Sequence, residues 1–92
     1  MHDWTLLSIE VVWEMGRAEL TFRSPDREEV LVSEGVVEVH IPRRREWGPS
    51  ASVNGVKGPL SINGGLQAIE IEMQSGDVIR IVAASFRMPP KS

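Results

Sequence analysis

Ile69-Glu70-Ile71-Glu72-Met73-Gln74-Ser75-Gly76-Asp77-Val78-Ile79-Arg80-Ile81 is the stretch that decides the fold. Ile69, Ile71 and Met73 alternate with Glu70 and Glu72, and Ile79, Ile81 and Ala83 share one side of the run that follows. Ser75-Gly76-Asp77 between them is turn chemistry. A period of two on both sides of a short turn specifies an antiparallel hairpin with one buried and one wet face.

Working outward, the same period recurs. Ala18, Leu20 and Phe22 alternate with Glu19, Thr21 and Arg23, and Val37, Val39 and Ile41 alternate with Glu38 and His40. Thr5 to Trp13 places Leu7, Ile9, Val11 and Trp13 on one face, which makes Trp13 an expected core residue and Trp47 an edge residue. No helical spacing is sustained over three turns. Val (11) and Ile (7) outnumber Leu (6) and Ala (5), a β-branched excess that favours strands.

Glu14-Met15-Gly16, Ser24-Pro25-Asp26-Arg27 and Glu34-Gly35 read as short connectors, so sequence neighbours should pair as antiparallel strands. Residues 42–66 form a Gly/Pro-rich excursion with five Gly and three Pro in 25 residues. Within it, Ser52 to Lys57 around Asn54-Gly55 reads as a small hairpin, and Asn63-Gly64-Gly65 as a turn into the next strand. The expectation is an all-β chain: a four-strand meander, the excursion, then a C-terminal hairpin. It folds as an antiparallel β-sandwich or partly open barrel of about six to eight strands. Residues 1–92 make one domain, with 88–92 as a tail.

Composition narrows function by exclusion. There is no cysteine, hence no disulfide, thiolate zinc site or cysteine nucleophile. Thirteen carboxylates against ten basic residues leave a formal net charge of -3, the opposite of the balance that phosphate binding favours. No run is long enough to span a bilayer, so a soluble, cytoplasmic protein with no membrane partner is expected. Two histidines, His2 and His40, fall short of a metal set, and no serine lies in a nucleophile elbow. No cofactor, metal or catalytic residue is assigned.

Arg43-Arg44-Arg45-Glu46-Trp47 is the most distinctive local cluster. Three guanidiniums beside an indole suit an acidic protein surface or a nucleic acid, and the acidic chain favours the first. The candidate binding residues are Arg43, Arg44, Arg45, Trp47, Ser50 and Asn54. With His2-Asp3-Trp4-Thr5-Leu6 and Met73-Gln74-Ser75-Gly76-Asp77, the segment Trp47-Gly48-Pro49-Ser50-Ala51-Ser52-Val53-Asn54 resembles small bacterial single-domain proteins without an assigned activity. The resemblance spans most of the chain. It implies a bacterial, cytoplasmic protein and transfers no catalytic residue.

The functional expectation is a non-enzymatic binding or protein-interaction module. The alternatives are a nucleic-acid binder using Arg43 to Trp47 and a small hydrolytic or carbohydrate-active protein. A pocket holding His40 and two carboxylates would favour the last. Opposite the expected core face, Leu6, Val12, Val82, Ala84 and Phe86 form an apolar stripe, and a homodimer is the expected way to cover it. The competing reading is a bulge that turns Val82 and Phe86 inward.

Overall fold

The computed structural model describes residues 4–43 and 52–89, and among them the chain is all-β. Six strands occur: β1 (Thr5–Val12), β2 (Arg17–Arg23), β3 (Glu28–His40), β4 (Val53–Ser61), β5 (Gln67–Met73) and β6 (Val78–Arg87). All belong to one antiparallel sheet in the order β1-β2-β3-β6-β5-β4. The chain therefore makes two three-strand meanders, joined where the last strand of each pairs with the other. The edge strands β1 and β4 approach at one bridge, Thr5 to Ser52, and Val53 donates its N–H to the Trp4 carbonyl at 2.8 Å. The sheet curls into an open, barrel-like fold and is not closed.

The turns read from sequence behave as expected in four places. Trp13–Met15 form a single 3₁₀ turn between β1 and β2, ended by Gly16 in the left-handed conformation (φ 61°). Ser24 closes the next turn, its hydroxyl donating to the Arg27 carbonyl at 2.8 Å and accepting from the Arg27 N–H at 3.2 Å. Asn63–Gly65 turn β4 into β5, and Ser75-Gly76-Asp77 turn β5 into β6.

Two other connectors are corrected. Glu34-Gly35 is no hairpin turn; β3 runs through it for 13 residues. Gly35 adopts φ 68° and bends the strand there, opposite Ala84. Asn54-Gly55 is likewise no turn, because β4 continues through it and pairs with β5. Gly55 is absent from the positive-φ glycines that a type I′ turn would need.

The core gathers Trp4, Leu6, Leu20, Phe22, Leu31, Val53, Ile69, Ile71, Met73, Ile79, Ile81 and Ala83. The hairpin that decided the fold supplies half of these. The expected face of β1 holds at Ile9, which packs against the core, and fails at Leu7 and Trp13; at Leu7 a bulge is the reason. Register slips between Leu6 and Ser8, so Leu6 packs inward opposite Phe22 while Leu7 turns outward. Trp13 then leaves the strand altogether and is 71% exposed. Trp4 takes the core position instead, 4% exposed, with its ring centroid 6.0 Å from that of Phe22.

The apolar stripe expected opposite the core is broken by the same kind of phase change. Leu6 is buried, and Phe86 is half-buried against the core, because the inward set in β6 passes from Ile81 and Ala83 to Phe86 across the bend at Gly35. Val82 pairs with Glu38 and Ala68 and is only 5% exposed. Of the five stripe residues, Ala84 alone is exposed, with Val12 and Phe86 half-buried. Light scattering at micromolar concentration is therefore expected to give a monomer. Val82→Asp should cost at least about 2 kcal/mol, because a carboxylate would sit in a water-poor position. A dimer that the same substitution converts into a stable, folded monomer would restore the stripe as an interface.

Candidate functional site

A row of charged and polar side chains crosses the outer face of the sheet from β4 to β3. Strand register sets Lys57, Glu70, Arg80 and His40 side by side in one row across β4, β5, β6 and β3. Arg80 links the row, its Nη1 lying 3.3 Å from Glu38 Oε1 and its Nε 3.6 Å from Glu70 Oε2. Beside it, Asn54 donates from Nδ2 to Glu72 Oε1 at 2.8 Å. These are cross-strand pairs of opposite or complementary polarity, the sheet's ordinary means of satisfying a wet face.

Two shallow depressions flank the row. One, of about 230 Å³, lies over Gly55, Val56, Lys57, Glu70, Glu72 and Val78. The other, about 320 Å³, is bounded by His40, Pro42, Glu70, Asp77 and Arg80 among others. It holds a histidine and two carboxylates, the arrangement that would favour hydrolytic chemistry. Both carboxylates already have work to do. Glu70 faces Arg80, and Asp77 accepts from the Ser75 hydroxyl at 3.1 Å while Ser75 Oγ accepts from the Asp77 N–H at 3.3 Å. That second pair shapes the β5–β6 turn. Among the described residues no three His, Asp or Glu side chains gather as a metal-binding group.

A different surface stands out at the other end of the first meander. The turn after β1 presents Trp13 and Met15, 71% and 68% exposed, with Glu14 between them. Its position is set by two backbone hydrogen bonds. Gly16 donates to the Trp13 carbonyl at 3.0 Å, and Val36 donates to the Gly16 carbonyl at 2.9 Å. The second bond brings the turn against β3 where its register with β6 slips between Val36 and Glu38, leaving Val37 54% exposed. Val11, two residues before the turn, is 40% exposed on the face of β1 that it shares with Ala18 of β2. Trp13 and Met15 thus stand on the surface on a single turn held from both sides, with Val37 exposed on the adjoining stretch of β3.

Of the binding residues expected from sequence, Arg43 is exposed just beyond the end of β3, and Asn54 is exposed on β4 in contact with Glu72. Arg44, Arg45, Trp47 and Ser50 lie outside the described residues. The Trp13–Met15 tip was missed because Trp13 fits the alternation of β1. The available signal was Glu14-Met15-Gly16 immediately after it: a tryptophan touching a turn is as readily part of the turn as of the strand.

No family model, curated protein or solved structure matches the chain. Among the described residues no helix is long and apolar enough to cross a membrane.

Proposed function

We propose that the protein is a small non-enzymatic protein-interaction module whose contact surface is the Trp13–Met15 turn with Val37 and Val11. The single observation that carries this reading is the exposure of Trp13 on a turn anchored by the Gly16 and Val36 hydrogen bonds. Exposing a tryptophan forgoes about 1.5–3 kcal/mol of burial. Tryptophan is also the side chain most enriched where protein contacts concentrate their energy. A fixed backbone lowers the ordering cost of binding, which favours contact by a preformed tip over a floppy loop.

The hydrolytic alternative is less favoured, since Glu70 and Asp77 are held by Arg80 and Ser75 rather than left to serve His40. The nucleic-acid alternative runs against the net charge of -3.

The test is a photo-crosslinking amino acid placed at position 13 in the cells that make the protein, compared with one at Thr21 on the outer face of β2. A defined adduct to one polypeptide from position 13, absent from position 21, is the expected result. Equal, diffuse labelling from both positions would refute the proposed contact surface. So would an adduct to nucleic acid.

A further inference from the structure

We infer that the partner's surface at this tip is basic: a polypeptide presenting lysine or arginine around an apolar pocket that receives Trp13 and Met15. The inference rests on the reading of that turn as the contact and adds the partner's chemistry. It comes from the carboxylates on the turn and on the strands that lead to it. Glu14 sits on the turn between Trp13 and Met15, Glu10 stands on β1 on the face opposite to that of Val11, and Glu19, Glu34 and Glu38 lie on β2 and β3. The nearby cations are already taken. Arg17 Nε lies 3.1 Å from Glu19, Arg80 Nη1 lies 3.3 Å from Glu38, and Arg87 Nη2 lies 3.6 Å from Glu34. Glu10 and Glu14 have no cationic partner among the described residues.

The register sharpens the imbalance. Glu10 stands directly opposite Glu19 across β1 and β2. Like charges in directly opposed positions work against the pairing that holds two strands together. Only Glu19 is offset, by Arg17. An apolar tip whose rim keeps two carboxylates, Glu10 and Glu14, without a cation among the described residues selects among partners by charge. Anionic surfaces, nucleic acid or acidic lipid included, are repelled. A second copy meeting this tip about a twofold axis would bring Glu14 toward its own image and Glu10 toward another carboxylate rim. A basic partner gains on both counts, because the rim speeds encounter and the buried tip supplies lifetime.

The probes are two short synthetic peptides, one alternating lysine with leucine and one alternating glutamate with leucine. Each is titrated into the full chain at about 0.15 M salt, where only charges within about 8 Å act strongly, and backbone amide shifts are followed. The lysine peptide is expected to shift the amides of residues 10–16 and 35–38, and the glutamate peptide to leave them unmoved. The double variant Glu10→Lys, Glu14→Lys should weaken the lysine peptide by about tenfold or more and admit the glutamate peptide. Trp13→Ala should abolish the shifts at the tip. If both peptides bind the tip equally and both need Trp13, the contact surface stands and the basic partner is wrong. If the lysine peptide moves only amides around Glu70 and Glu72, or binds regardless of Trp13, the contact surface falls with it.

Discussion

Trp4→Ala is expected to cost about 3–5 kcal/mol, the range for truncating a buried large aromatic. Trp4 is 4% exposed, its ring lies against Phe22, and its carbonyl accepts the Val53 N–H that ties β1 to β4. A domain of this size has about 5–15 kcal/mol to lose in all, so the variant should unfold at markedly lower urea. The loss has two parts: apolar area returned to water, and the cavity left between β1, β2 and β4. Urea unfolding followed by far-ultraviolet circular dichroism measures it. A change under about 1 kcal/mol would mean that Trp4 does not seal the core and that β1 has been given the wrong phase.

Gly35→Ala should cost about 2–4 kcal/mol, from two separable sources. Gly35 holds φ 68° in the middle of β3, a conformation that side chains adopt only with strain. An added Cβ would also stand 2.7 Å from the Ala84 Cβ, closer than carbon atoms tolerate. Ala84→Gly removes the second source and leaves the first. The pair Gly35→Ala, Ala84→Gly should therefore recover part of the loss, with roughly 1 kcal/mol persisting as backbone strain, and the double-mutant cycle reports the coupling. Additive losses would show that the two residues do not face each other and that β3 is not bent at this point.

These two positions also mark where the sequence could and could not be read. Ile69 to Ala83 announced its hairpin because each alternating residue is either apolar or charged, so the face assignment has no second solution. The turns at Ser24, Asn63 and Ser75 were equally plain, since their chemistry is local. Alternation puts Leu7 on the core face in place of Leu6 because a bulge between Leu6 and Ser8 shifts the phase of β1 there, and a bulge inside a run of apolar residues leaves no mark in composition. It puts Trp13 in the core because the alternation runs past the end of the strand into the turn. Glu34-Gly35 was misread for a related reason. A positive φ serves a hairpin turn and a bent strand equally well, and only the long-range pairing of β3 with β6 chooses between them. The break in the Leu6–Phe86 stripe follows from the β1 bulge at Leu6 and from this bend at Phe86. Asn54-Gly55 shows the converse: a turn-forming pair sits in an extended strand because pairing with β5 outweighs local preference.

The surface was less legible than the fold. Arg43 to Trp47 drew attention by composition, yet the tip at Trp13 depends on a strand ending one residue earlier than its alternation suggests. Its two carboxylates without a cation among the described residues, Glu10 and Glu14, emerge only by comparison with Glu19, Glu34 and Glu38, which Arg17, Arg87 and Arg80 compensate. None of those relations is written in spacing along the chain.

The measurement that most directly tests whether Trp13 and Met15 serve a contact rather than the core is the urea unfolding free energy of the double variant Trp13→Ala, Met15→Ala. Both side chains are more than two-thirds exposed, so the variant should match the wild type to within about 0.5 kcal/mol, as surface substitutions do. A loss of about 2 kcal/mol or more would place these side chains in the fold's own packing and leave no exposed tip for a partner to grip.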